Sequence, residues 1–438
     1  MRIAFITAGA GGMFCGSCLH DNTLAAALIK EGHDAILMPT YTPIRTDEES
    51  VSLHRVFMGG INVYLQQRFR FFRHTPWLLD RILDFPPLLR WVSRFAVRTE
   101  AADLADLTIS ILQGQKGNQV KEIYKLQRFF ETTFQPDVIL FTNVLLSGIA
   151  LALQQSLKVP VISLLQGDDV FLEALPPKTK ESAIQLINDN SLSLTGFIST
   201  SHYYANFMSS YLGLDRGKIS VVYPGLNLKG HRSDHPIRSD PPFTIGYFAR
   251  ICPEKGFDQF VDAFIELHQA PNCPETHALV SGWLGENQKE FFATQMKKIH
   301  EAKLTEKFKH ITCPDLDSKI DFFHQIDLLS VPTRYHEPKG LSILEAIANG
   351  VPVVQPAHGS FPELIRETGG GILVEPDSKT ALVQGWLQLL NRSEFRYELA
   401  ERGKNSIQTR FHAQAMARET VRCLQEMLHF PSETVTSS

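Results

Sequence analysis

The sequence has no apolar run of the roughly 18–20 residues that a membrane-spanning helix requires, which excludes a spanning segment of that kind. It has little cysteine. Six are spread over 438 residues, and only Cys15 and Cys18 are close together. That excludes a disulfide-stapled framework and fits a reducing compartment. It also lacks an excess of charge. A formal net charge of -4 does not carry the basic footprint of a nucleic-acid binder. The N-terminus, Met1 to Thr7, runs as a short strand into a glycine loop. It has neither the apolar core nor the cleavage site of a secretory signal, so a cytoplasmic location is the default expectation. No short-period repeat is present, and the one low-complexity stretch is the Ser/Thr-rich tail after Phe430.

What remains is a chain of ordinary globular composition, 43% hydrophobic and 21% charged. It is too long for one core, so two domains are expected. Short, almost wholly apolar runs recur between amphipathic segments. In the first half they are Ile3–Thr7, Ala35–Met38, Val138–Phe141, Val161–Leu165, Phe197–Thr200 and Ile219–Tyr223. Such runs fit parallel strands covered on both faces. The intervening helical patterns at His20–Lys30, Val144–Gln155 and His202–Leu212 make the alternation that of a doubly wound α/β sheet.

A polar, proline-containing stretch after Tyr223 reads as a linker, and a second alternating series follows it. Its strands are placed at Thr244–Ala249, Ala278–Ser281, His310–Thr312, Leu328–Val331, Val351–Val354 and Ile372–Val374. The expected organisation is a domain over 1–225, a linker over 226–242 and a second domain over 243–405. A terminal helix follows within 406–438, of the kind that can cross back to the first domain.

Three segments carry chemistry. The first is the glycine-rich segment from Gly9 to Asn22, where Gly11 and Gly12 permit close backbone approach to an anion before a helix N-terminus. It is not a dinucleotide fingerprint, because no Gly-x-Gly-x-x-Gly leads into a helix with an acid about 20 residues on. The alternative is a tight turn without a ligand. Cys15 and Cys18 have metal-ligand spacing but no second pair, so small residues packing in a loop is the simpler reading.

The second segment contains Arg250 and Lys255, at the end of a strand. Arginine offers a planar fork of donors to phosphate oxygens, and lysine a mobile point charge. The third is Glu337-Pro-Lys-Gly340-Leu341-Ser342-Ile-Leu-Glu345. Pro338 and Gly340 shape a loop, a helix begins near Leu341, and Gly350 ends it. The amides of Gly340, Leu341 and Ser342 offer an anion site at the helix N-terminus. Glu337 and Glu345 flank it, with seven residues between them. Capping or helix-dipole partnership is the alternative for the two acids.

The third segment closely resembles the Glu-x7-Glu motif of retaining glycosyltransferases with the GT-B fold, particularly family 4, and the Arg250/Lys255 segment resembles that family's phosphate-binding pair. The resemblance spans most of the chain. It implies two Rossmann-like domains facing a cleft, with the donor mainly on the second. It implies a nucleoside-diphosphate sugar as donor and a hydroxyl acceptor that is a glycan, a lipid or a small molecule. By motif position Arg250 and Lys255 would neutralise the diphosphate, Glu337 would meet the donor sugar, and Glu345 the ribose. Gly340, Leu341 and Ser342 would hold phosphate, with Gly11 and Gly12 approaching from the first domain. No cofactor and no metal are implied. The activity implied is transfer of a hexosyl group with retention of configuration.

The sequence departs from the family at Gln166-Gly-Asp168-Asp169, where many relatives carry His-Asp. The histidine's role is therefore open. Asp168 becomes a candidate for acceptor contact or base-like work, with helix capping as its alternative. A stretch over 64–98 interleaves arginines (Arg68, Arg70, Arg73, Arg81, Arg90, Arg94, Arg98) with aromatics. It reads either as arginines on the exposed face of core-packed helices or as a surface for an anionic membrane or lipid-linked acceptor. Two other functions fit the same scaffold: a sugar-nucleotide epimerase or hydrolase, and a non-catalytic sugar-nucleotide binder.

Overall fold

The computed structural model describes residues 1–9, 16–73, 104–231 and 238–429. The chain divides into two units. One comprises Met1–Gly225 with Ala413–Ser438, the other Leu226–His412.

The first unit holds seven strands: β1 (Arg2–Ala8), β2 (Asp34–Tyr41), β3 (Phe57–Gly59), β4 (Val138–Phe141), β5 (Val161–Leu165), β6 (Gly196–Ser199) and β7 (Ile219–Val221). Their order is β3-β2-β1-β4-β5-β6-β7, and every neighbouring pair is parallel. The side-chain period of two explains the unbroken apolar runs. Ile3, Phe5, Val138 and Leu140 point into one core, and Ala4, Ile6, Ile139 and Phe141 into the other. A strand covered on both faces cannot alternate with polar residues. The helix Ala413–His429 lies over the first of these cores, where Met416, Ala417 and Leu424 join Ile3, Leu24 and Leu28.

The second unit holds six strands: β8 (Phe243–Phe248), β9 (Thr276–Ser281), β10 (Phe308–His310), β11 (Leu328–Ser330), β12 (Val353–Pro356) and β13 (Gly371–Val374). Their order is β10-β9-β8-β11-β12-β13, again all parallel. Both units are Rossmann-like. In each, the strand order reverses between the first and fourth strands, at β1/β4 and β8/β11. Open α/β sheets bind ligands at the carboxyl ends of the strands on either side of such a reversal.

The buried strands fall where the apolar runs place them, within one or two residues at each end except for β2, which runs three residues further, to Tyr41. The sequence reading passed over the edge strand β3. Three residues carry little periodicity, and Met58 within it has φ of 50°. It also passed over several helices, among them Pro177–Ser191, Leu316–Phe323 and Ser393–Arg410.

Candidate functional site

In the second unit, the loops after β8 and β11 meet at the reversal point. The loop after β8 is a turn of 3₁₀ helix over Pro253–Lys255, ended by Gly256 at φ 67°. A Cβ on Gly256 would lie 1.7 Å from the Pro332 carbonyl oxygen, so the two loops touch along their backbones. The Glu254 carbonyl accepts the N–H groups of Arg334 (3.0 Å) and Tyr335 (3.1 Å) and the Thr333 hydroxyl (2.8 Å). Arg334 clamps Asp258 through two bonds of 2.8 and 2.9 Å. The Tyr247 hydroxyl lies 3.1 and 3.2 Å from the carbonyls of Arg250 and Lys255, fixing the loop from below.

These contacts bring Lys255 and Glu337 together. The Lys255 ammonium is hydrogen-bonded to Glu337 Oε2, and both side chains keep 16% of their surface exposed. The ammonium also lies 5.3 Å from the centre of the Tyr335 ring. Arg250 is exposed, with no ion-pair partner among the described residues. Burial pushes the Glu337 carboxyl up. The Lys255 charge and hydrogen bond, the Lys339 charge and the Gly340 N–H outweigh it, so its pKa lies below the ordinary glutamate value. Glu337 is therefore a carboxylate at neutral pH, able to accept hydrogen bonds and unable to give a proton.

Glu337 is held from its other side by the turn after β12. Ser360 N–H donates to the Glu337 carbonyl at 2.8 Å. A Cβ on Gly359 would lie 2.7 Å from Glu337 N. His358 stacks on His336 with ring centres 4.6 Å apart, and its Nε2 lies 2.8 Å from the Thr333 carbonyl, which sets the Nε2–H tautomer. The buried Ser360 hydroxyl and His358 Nδ1 have no hydrogen-bond partner among the described residues. No sequence pattern singled out Tyr247, Arg334, Gly359 or Ser360.

The helix Leu341–Ala348 starts at Gly340, whose φ is 64°. Its N-cap residue makes no side-chain cap bond, and a helix N-terminus favours negative charge. The reading of three free amides needs one correction: the Gly340 N–H binds the Glu337 carboxylate. Leu341 and Ser342 stand in the first turn, half-buried. Glu345 is buried, and Lys319 donates to its Oε1 at 2.6 Å. Lys319 comes from the helix Leu316–Phe323, and no sequence pattern singles it out. Asp315 of the Asp315-Leu-Asp317 stretch caps that same helix by accepting Ser318 N–H at 2.9 Å. Among the described residues no cluster of three or more His, Cys, Asp or Glu is placed to hold a metal ion.

In the first unit, Gly11, Gly12 and Cys15 lie outside the described residues, as does most of the arginine-rich stretch. Gly9 is described. A Cβ there would meet the Thr42 carbonyl oxygen at 2.1 Å, so its close approach is to the chain's own backbone. Cys18 is buried, with its sulfur 3.8 Å from the Ala8 carbonyl oxygen.

Asp168 is buried, and both its oxygens accept backbone N–H groups, from Val144 at 3.0 Å and Gln166 at 3.1 Å. It thus ties β4's exit to β5's exit. Burial pushes its carboxyl up to about 6, against those backbone bonds. Gln166 gives its amide to Asp21 Oδ1 and to the Thr142 carbonyl, each at 2.8 Å. Asp21 also accepts from Thr7 at 2.8 Å. Two acceptors fix the amide's orientation, so Gln166 Oε1 can only accept, and it is buried without a partner among the described residues. A neutral carboxamide locked in this way cannot shuttle a proton.

The comparisons with known proteins define first the fold. Sucrose-phosphate synthase from Thermosynechococcus elongatus superposes with a TM-score of 0.69 at 15% identity, over 98% of this chain and 99% of that one. Anabaena Alr3699/HepE, in a complex with UDP, gives 0.67 at 16% identity, over 97% and 100%. At these identities the likeness carries the fold, two Rossmann-like domains of the GT-B class.

The family signal lies in the second unit. Residues 231–406 match the family model "Glycosyl transferases group 1". The lipopolysaccharide core biosynthesis mannosyltransferase LpsB of Rhizobium meliloti is 33% identical over 147 residues, 32% of this chain and 39% of that protein. The D-inositol 3-phosphate glycosyltransferase of Mycolicibacterium gilvum is 28% identical over 194 residues, 41% of each. This chain thus spans about two fifths of the length of these relatives.

Proposed function

We propose that this chain is a glycosyltransferase that moves a hexosyl group from a nucleoside-diphosphate sugar to a hydroxyl acceptor, with retention of configuration. The observation that carries the reading is the Lys255–Glu337 pair at the β8/β11 reversal, by the start of the helix Leu341–Ala348 and with Arg250, which has no ion-pair partner among the described residues. A diphosphate brings negative charge that grows on its leaving oxygen as the glycosidic bond breaks. Arg250, Lys255 and the amides of Leu341 and Ser342 are the groups that would oppose it, and they are in place beforehand. That lowers the barrier without a bound cation, and no metal or cofactor is invoked.

Glu337 would accept hydrogen bonds from donor-sugar hydroxyls, a role its ionised state allows. Glu345, held by Lys319, would take the ribose hydroxyls. The two glutamates are not an acid and base pair, since the ionised Glu337 has no proton to deliver. The family match over 231–406 supports the class of reaction, and the relatives named as a mannosyltransferase and a glycosyltransferase point the same way. The UDP complex of a protein with this fold makes uridine diphosphate sugars the first donors to try. In the first unit Asp168 is assigned to positioning, because both its oxygens are already engaged.

The test is consumption of a radiolabelled nucleotide sugar, with label appearing in an acceptor fraction. Glu337→Ala and Lys255→Glu should each abolish transfer while the protein stays folded. Near-normal turnover by both variants would sink the assignment. Release of free sugar or of an epimer without any acceptor would move it to a hydrolase or epimerase.

A further inference from the structure

The first unit carries a surface that the donor chemistry does not use. The helix Gly60–Arg68 runs out into a 3₁₀ turn over Arg70–Arg73. Along it Tyr64 is 54% exposed, Phe69 52% and Phe71 72%, and Tyr124 on the helix Val120–Phe129 is 59% exposed. Single exposed apolar side chains are ordinary, but a group of four large ones is not. Arg68 and Arg70 alternate with these rings and are exposed. Beside them Arg73, Asn118, Lys121 and Tyr124 line a concavity of about 410 Å³.

The scaffold under this surface is fixed. Glu122 is buried and accepts from Asn62 (3.1 Å), Gln66 (2.8 Å) and Lys125 (2.8 Å), which locks the two helices together and offsets its charge. Arg73 donates to the Gln66 carbonyl at 2.8 Å, so the turn that carries Phe69 and Phe71 is tied to the helix end. The exposed rings are therefore presented by an ordered segment.

We infer that this face docks on an anionic phospholipid surface, with Phe69 and Phe71 entering the interface, Arg68 and Arg70 meeting lipid phosphates, and the Arg73/Lys121 concavity taking one headgroup. Charge complementarity selects this occupant. Arginines interleaved with phenylalanines suit the boundary where acyl chains give way to phosphates. A second copy of the chain would bring like charges face to face. Among the described residues no helix is long and apolar enough to cross a membrane. The inference stands independently of the proposed transferase reaction, because its residues and its readout lie in the first unit.

The test is co-sedimentation of the full chain with vesicles of phosphatidylcholine alone, and with about 30% phosphatidylglycerol added. Binding should require the anionic lipid and weaken steeply as salt shortens the range of the charge attraction. Phe69→Ser with Phe71→Ser, and separately Arg70→Glu with Lys121→Glu, should each reduce binding. The expected loss is about fivefold or more for each cationic side chain removed. Melting temperature and nucleotide-sugar binding should stay unchanged, which separates this result from a failure of folding or of the donor-site reading. The inference is overturned if the chain ignores phosphatidylglycerol vesicles, if both variants bind them as the parent does, or if the parent instead self-associates through this face.

Discussion

Two of the lysine–glutamate pairs in the second domain look alike in composition and differ in exposure. Lys319 and Glu345 keep 6% and 7% of their side-chain surface, while Lys255 and Glu337 keep 16% each. The first pair is sealed between the helices Leu316–Phe323 and Leu341–Ala348. The second sits on two loops beside an open helix end. A sealed pair is expensive to break, because removing one partner leaves the other charged in a poor solvent. A pair open to water and to a ligand can exchange its partner. The same two residue types therefore hold the fold in one place and stand ready for an anion in the other.

The largest expected effect follows from the sealed pair. Lys319→Ala or Glu345→Ala should cost about 3–5 kcal/mol, seen as a shift of the second domain's transition in urea unfolding. Replacing both together, Lys319→Met with Glu345→Leu, should recover most of that stability; defective transfer by that folded variant is the result the proposed ribose contact of Glu345 requires. If the single variants are as stable as the parent, the contrast between the pairs disappears.

The open pair should show the reverse pattern. Lys255→Ala and Glu337→Gln should reduce transfer by about a hundredfold or more while changing stability by about 2 kcal/mol or less. Assays of both properties on the same preparations would sharpen the comparison. A loss of stability equal to that of the Lys319 variant would show that the two pairs serve one purpose.

The first domain offers a smaller effect, because its strand ends carry a neutral clamp. Gln166→Leu removes the donor to Asp21, which has no exposed surface. It should cost about 1–3 kcal/mol, read from the first domain's unfolding transition. Gln166→Glu would set two carboxylates together and should cost more at pH 8 than at pH 5.

The smallest effect is a slope with pH. The Asp168 carboxyl is raised to about 6 in the folded chain. Its protonated form is thus favoured by folding. The first domain should gain stability as pH falls from 7 through 6 toward the ordinary aspartate range, and lose it again on the way up. Asp168→Asn should flatten that slope in thermal melts. Glu337 works in the opposite sense. Its lowered carboxyl contributes stability above the ordinary glutamate value, lost only as pH falls through the lower folded value.

Which parts of this were legible in the sequence follows from the range of the forces involved. β4 and β5 are continuous apolar runs, and they stand at Val138–Phe141 and Val161–Leu165 as the pattern places them. The helix after Gly340 begins at Leu341 because the loop chemistry that starts it is local. The helix Ser393–Arg410 was not legible: it is mostly polar, and few of its residues are buried. Lys319 was not legible either. Its partner lies 26 positions on, and only the packing of two helices brings them together. The same holds for Gly359, whose closeness to Glu337 is a contact between loops from different strands. The Gly340 amide shows the limit even within a motif. Its neighbours identify it as an anion donor, but the anion it holds here is the chain's own Glu337.

The most direct test of the donor site is calorimetric titration of the full chain with UDP-, GDP- and ADP-sugars, repeated on Lys255→Ala and Lys319→Met/Glu345→Leu. One nucleotide sugar should bind the parent, and Lys255→Ala should weaken that binding at least about tenfold with the second domain's unfolding transition nearly in place. Equal binding by Lys255→Ala and the parent, or no binding of any nucleotide sugar by the folded parent, would contradict a donor site built on Arg250, Lys255 and Glu337.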